Sequence, residues 1–158
     1  MKEKNKIKNT HILKKPTIRR ATISDINLII SIQKRDGFAH AYYLTRRRLK
    51  KLFKRGEIFF IAFLNNKAVG FASLYIEIRA KLHFFSVIKE HTAMRIGSFL
   101  LQRIINETKR HGKDMIYIYT EANSPLEQFL IRKKFKKIGY FNNRFGKGKH
   151  ASIFTFYF

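Results

Sequence analysis

The sequence predicts an α/β (α+β) domain built on a mixed, mostly antiparallel sheet with helices on both faces. Three observations carry the prediction. Segments of strand character and segments with helical apolar spacing interleave in the order β-α-α-β-β-β-α-β-α-β-β. Asn65-Asn66-Lys67 reads as a hairpin between two strand segments, and the last two strands read as a closing antiparallel pair. The 158 residues fit one ordinary domain, and a chain of that length buries roughly 68–70% of its unfolded surface without staples.

Each element has its own signal. Residues 1–16 hold six Lys, one Glu and no sustained periodicity, and are expected to form a basic flexible tail closed by Pro16. Residues 17–158 are expected to form the single domain. Thr17–Ala21 reads as a strand running into Thr22-Ile23-Ser24-Asp25, a capping-box pattern. Ile26, Ile29 and Ile30 then repeat at helical spacing until Asp36-Gly37. Thr45 caps a second helix that buries Leu49, Leu52 and Phe53, with Arg46, Arg47, Arg48, Lys50, Lys51, Lys54 and Arg55 as a cationic shell. Ile58–Leu64 and Ala68–Ile78 are strands. In the second, Ala72, Leu74, Ile76 and Ile78 share one face, with Phe71, Ser73, Tyr75 and Glu77 on the other. Lys81–Ile88 is a strand leading straight into a helix from about Thr92 to His111, ended by Gly112. Met115–Thr120, a short helix opened by Pro125, and the pair Lys137–Phe141 and Ser152–Phe158 complete the chain.

Composition narrows the chemistry. There is no Cys, so disulfides, thiol nucleophiles and Cys-ligated metals are excluded. No two histidines recur at i,i+3 or i,i+4, and no metal site is expected. The longest apolar run, Ile58–Leu64, is far shorter than the roughly 20 residues of a membrane span. With no secretory apolar segment at the N-terminus either, the expectation is a cytoplasmic protein without membrane contact. The charge stands out: 34 Lys+Arg against 10 Asp+Glu, a formal +24. That excess favours polyanionic partners.

The stretch from Phe84 to Leu101 is the informative one. A buried strand passes into a helix whose first turn holds Gly97 and Ser98, an anion site in principle. From Thr17 to Phe158 the order of elements resembles the GNAT superfamily of acyl-CoA-dependent N-acetyltransferases. In that family the end of the fourth strand pairs with the pantetheine arm, and an Arg/Gln-x-x-Gly-x-Gly/Ala loop wraps the pyrophosphate. Val87 matches the strand end, with Phe85 and Ser86 before it, and Thr92-Ala93-Met94-Arg95-Ile96-Gly97 matches the loop ahead of Ser98. Asn123-Ser124-Pro125, Phe135 and Gly139-Tyr140-Phe141 also fall in register, as does Ile18-Arg19-Arg20-Ala21-Thr22 with Asp25. The resemblance implies acetyl-CoA as acyl donor and a primary amine, on a small molecule or a protein, as acceptor. It implies Phe85, Ser86, Val87, residues 92–98 and Asn123 as the cofactor-binding set.

Departures from the family pattern are as informative. Thr92 replaces the usual Arg/Gln, and Arg95 stands where the loop usually has Gly. Arg95 either crowds the phosphates or adds a charged fork to them. Leu130 fills the position of the family's proton-donating Tyr, which leaves that role to water or to Tyr119, Tyr140 or Tyr157. For the base, His83 lies four residues before Val87 on the same strand, so both are expected to point to one face, and an unperturbed imidazole suits the task. Glu121 and Glu77 are its rivals. Phe38, His40, Tyr42 and Tyr43 are expected to line the acceptor pocket, with Arg144, Phe145, Lys147 and Lys149 on the last hairpin. A homodimer is compatible with these features. The alternative is a weakly active or inactive protein of the same fold that binds RNA or a ribonucleoprotein through its basic surface.

Overall fold

In the computed structural model, residues 14–36 and 44–158 are described. Seven strands form one sheet in the order β1-β2-β3-β4-β5-β7-β6. They span Thr17–Arg20, Ile58–Leu64, Lys67–Ile76, Ala80–Val87, Met115–Glu121, Lys136–Phe141 and Ala151–Tyr157, numbered in chain order. The helices are α1 (Ile26–Gln33), α2 (Arg46–Lys54), α3 (Ile96–Arg110) and α4 (Pro125–Arg132). Every pairing is antiparallel except β4 with β5.

The caps work as their residue types dictate. The Thr22 amide donates to the Asp25 carboxylate at 2.8 Å ahead of α1, and Arg19 forks onto both oxygens of that carboxylate at 2.8 Å each. The Thr45 hydroxyl accepts from the Arg48 amide, and the Ser124 hydroxyl from the Glu127 amide. The Gln33 side chain bonds both the amide and the carbonyl of Leu44 at 2.7 Å, tying the end of α1 to the start of α2.

Two apolar layers sandwich the sheet. One packs α3 and α4 onto Phe60, Ala72, Leu74, Leu82, Phe85 and Val87. The other packs α1 and α2 onto Phe59, Ile61 and Phe71. The expected faces of β3 hold through Ile76, but β3 ends there and Ile78 is 91% exposed. Gly70 is required by close approach: a Cβ would lie 3.0 Å from the Ser86 carbonyl oxygen and 3.1 Å from Leu100.

Two features of β4 differ from the regular strand expected. Ser73 pairs with Phe84 and Leu74 with Leu82, so His83 is the extra residue of a β-bulge. Leu82 and Phe85 therefore bury into the same α3 layer, and the alternation before the bulge is inverted after it. His83 and Val87 do not share a face, contrary to the count of four. Ser73 makes the bulge affordable, since its hydroxyl accepts from the Phe84 amide at 3.1 Å. The second difference follows the strand: the long helix starts at Ile96 rather than Thr92. Lys89–Met94 forms a 3-10 turn, and Arg95 sits in the left-handed region at φ 59°.

Candidate active site

The sheet is open at its middle. β4 and β5 pair only at Ala80 with Ile116 and Lys81 with Tyr117. Beyond that point the β4 edge facing β5 carries no ladder. Strand amides point alternately to the two sides. The Ile88 amide bonds the Val69 carbonyl at 2.9 Å and the Phe84 amide bonds Ser73, both on the β3 side. The amides of Phe85 and Val87 therefore point to the open edge.

Where β4 ends, the chain builds a cleft of about 490 Å³ between the 89–94 turn, α3 and α4. Phe99 makes the first intrahelical bond, to the Arg95 carbonyl, so the amides of Ile96, Gly97 and Ser98 lie ahead of the helical ladder. Thr92, Ala93, Arg95, Gly97 and Ser98 line one wall, and Phe129, Arg132 and Lys133 the other. Helix-end amides with two arginines and a lysine form an anion cradle. Arg95 adopts the left-handed backbone itself, so the loop keeps its shape without the glycine usual at that position. Gly97 has a packing role: a Cβ there would meet the Phe129 ring at 3.2 Å and Phe85 at 3.4 Å.

The remaining cofactor candidates divide by position. The Phe85, Val87 and Ile96 side chains are fully buried in the core, so only their backbones are offered to a ligand. The Ser86 hydroxyl is buried without a hydrogen-bond partner. Met94 is exposed on the turn. Asn123 takes a left-handed backbone (φ 62°), and its amide donates to the Glu127 carboxylate, which fixes the turn into α4. Burial pushes the Glu127 carboxyl up, but the Asn123 amide, Ser152 and Lys137 outweigh it and hold it below its ordinary value.

His83 faces a different cleft, of about 450 Å³, bounded by α2, β3, β4 and the β6–β7 loop. Its Nδ1 lies 2.9 Å from Glu57 Oε1 and 3.1 Å from Oε2. Glu57 is buried under the cleft, where it accepts from the Ser73 hydroxyl at 2.6 Å and from Arg55 at 2.7 Å. Burial pushes the Glu57 carboxyl up, and the bonds from His83, Ser73 and Arg55 outweigh it, so the carboxylate is ionised. The Arg55 guanidinium also lies 3.1 Å from Nδ1, so that nitrogen sits between a carboxylate that accepts and a cation that donates. Burial, together with the Lys81 and Arg55 cations, holds the His83 pKa below 6.5 against the pull of Glu57. A neutral imidazole oriented by a carboxylate has the chemistry that proton abstraction requires.

Among the other expected site residues, Glu77 lines the His83 cleft, whereas Glu121 ends β5 opposite Ala151 and lines neither cleft. Phe38, His40, Tyr42 and Tyr43 lie outside the described residues. Leu130 does not wall either cleft; it is fully buried in the α3 layer. Of the three candidate tyrosines, Tyr119 lines a smaller pocket beside His83 with Arg144 and Phe145, while Tyr140 and Tyr157 are more than half exposed. Glu57 was missed by sequence reasoning. Its signal was an acid at the head of the longest apolar run in a chain with only 10 acids.

These elements have parallels in known proteins. The Acetyltransferase (GNAT) family profile matches residues 25–135. Ard1 from Thermoplasma volcanium superposes with a TM-score of 0.79 at 17% identity, over 90% of this chain and 97% of that one. The ribosomal-protein-S18-alanine N-acetyltransferase from Escherichia coli gives 0.77 at 19% identity, over 90% and 94%. The PaiA N-acetyltransferase from Thermoplasma acidophilum, solved in complex with coenzyme A, gives 0.74 at 19% identity, over 92% and 100%. These structures share the fold of this chain, and with the profile covering residues 25–135 the chain belongs to the GNAT acetyltransferase family.

Proposed function

We propose that the protein transfers an acetyl group from acetyl-CoA to the primary amine of an acceptor. One observation carries the reading: the Glu57–His83 dyad sits on β4 just past its last pairing with β5, and the anion cradle follows the end of the same strand, with the open edge between them. The donor supplies an acyl group activated as a thioester. Gly97, Ser98, Arg95, Arg132 and Lys133 suit its pyrophosphate, and the outward amides of Phe85 and Val87 suit a strand-like pantetheine arm. His83 takes one proton from the acceptor ammonium, and Glu57 stabilises the imidazolium that results. As the amide C–N bond forms and the thioester C–S bond breaks, an outward amide of β4 offers a donor to the charge on the carbonyl oxygen. The nitrogen gives up its second proton as the adduct collapses, and Tyr119, beside His83, suits the relay of that proton to the departing thiolate.

Binding tests the reading first. Acetyl-CoA at 100 times its Kd should raise the unfolding free energy by about 2.7 kcal/mol, visible as a shift in Tm. Transfer to a panel of primary amines, followed by thiol release, then tests the reaction. No shift at millimolar acetyl-CoA would overturn it.

A further inference from the structure

The cleft in front of His83 is lined by Arg48, Lys51, Arg55, Lys81 and Arg144, with Glu77 as the one acid among its lining residues. Glu57 beneath it is already engaged by Arg55, Ser73 and His83. The cations are aimed by aromatic rings: Arg48 lies 5.4 Å from the Phe84 centroid, Arg55 4.3 Å from Tyr75, Lys81 5.3 Å and Arg144 5.6 Å from Tyr119. Stacking on a ring holds a long cation in place. Two of these cations share the ring of Tyr119. Burial, and after it the nearby Arg144 and Arg55, push the Lys81 ammonium below its ordinary pKa. A pocket that gathers so many like charges beside a general base is preorganised for an anion.

We propose that the acceptor is a small amine bearing a phosphate group, with the phosphate held by Arg48, Lys81 and Arg144 and the amine presented to His83. This rests on the acetyl-transfer reading. A phosphate fits better than a lone carboxylate because it offers more than one charge and several oxygens to two guanidinium forks. A small molecule fits better than a polymer because the cleft is closed on one side by α2 and on another by the β6–β7 loop, and its volume is ligand-sized. Polyamines are disfavoured by the same charges. The outer face of α2, with Arg46, Arg47 and Lys50 exposed, is separate from this pocket.

The test compares matched amines with the full chain and acetyl-CoA: glucosamine against glucosamine 6-phosphate, ethanolamine against O-phosphoethanolamine, and spermidine. The phosphorylated member should be preferred by about 100-fold in kcat/KM, the scale of two charge-assisted hydrogen bonds. The double variant Lys81→Gln, Arg144→Gln should erase that preference while its acetyl-CoA affinity stays within about twofold. Equal kcat/KM within each pair, a preference for spermidine, or a preference surviving the double variant would overturn the proposal. So would protection from thermal unfolding by an RNA oligonucleotide but by no phosphorylated amine. The two readings fail separately. If acetyl-CoA shifts Tm and no phosphorylated amine is preferred, the acceptor assignment falls and acetyl transfer stands. If acetyl-CoA gives no shift, acetyl transfer falls, and Tm shifts by O-phosphoethanolamine in wild type against the double variant still decide whether the cleft binds phosphate.

Discussion

Glu57 and His83, twenty-six residues apart, meet through Nδ1 and Oε1 at 2.9 Å because a bulge turns the imidazole toward the strand that Glu57 opens. The contact orients the imidazole, with Nε2 on the far side of the ring from the carboxylate. Replacing His83 by Gln should lower kcat for acetyl transfer by roughly 10²–10⁴-fold, with acetyl-CoA binding retained. The pH profile carries the finer test. The folded His83 pKa lies below 6.5, so kcat/KM should be flat at neutral pH and fall as pH drops through that lowered value. Glu57 raises the pKa of His83, so Glu57→Gln should move the acid limb to lower pH as well as reduce the plateau. A limb that stays in place would mean His83 is not the titrating base.

Tyr119→Phe should reduce turnover, while Tyr140→Phe and Tyr157→Phe, on exposed rings, behave as wild type. Leu130→Tyr should not help. Leu130 is wholly buried, so a phenol there overpacks the α3 layer, and a loss of about 1–3 kcal/mol in urea unfolding is expected.

The anion cradle is best probed without touching the core. Ser98→Asp puts a carboxylate in the first turn of α3, where the dipole favours it for folding and where it repels a pyrophosphate. Acetyl-CoA affinity should drop at least about tenfold by calorimetry, while Tm holds or rises. Gly97→Asp would confuse the two, because its side chain enters between Phe85 and Phe129. Arg95→Gly should leave stability within about 1 kcal/mol, since it removes left-handed strain but adds chain entropy, and should weaken acetyl-CoA binding through the lost charge.

Acid stability should report the Arg19–Asp25 pair. The Arg19 guanidinium holds the Asp25 carboxyl at about 2, against 3.8 ordinarily. A depressed carboxylate stabilises the fold above its ordinary value, and that contribution disappears as pH falls through the folded value. Between about pH 5 and pH 2 the wild type should lose up to about 2 kcal/mol more than Asp25→Asn does, less the screening that half-exposed Arg19 receives. Equal acid sensitivity in urea titrations would show the pair contributes nothing.

Much of the fold was legible in the sequence. The hairpin at Asn65, the cap at Thr45, the Pro125 start of α4 and the core face of α2 follow from periodicity and turn chemistry. The cradle residues 92–98 were legible as a strand–helix junction with Gly and Ser in the first turn. The bulge was not, because no Gly marks it and Leu82-His83-Phe84-Phe85 gives no clean alternation. The Lys89–Met94 turn was hidden in what reads as continuous helix, since Arg95 takes a left-handed backbone that its residue type rarely adopts. Glu57 was legible only as an anomaly; its partners come from strands that only the tertiary fold brings together.

The surplus residue in β4 also sets what the strand tolerates. Loss of one residue at 83 would restore simple alternation while every flanking pair keeps its partner, Leu82 with Leu74 and Phe84 with Ser73. Ala80, Leu82 and Phe85 would stay in the apolar layer beneath α3, and Lys81 would stay in the charged cleft. Loss of Leu82 instead would bring the imidazole opposite Leu74, into the apolar layer. The surplus position is free to carry chemistry because the packing on either side does not depend on it.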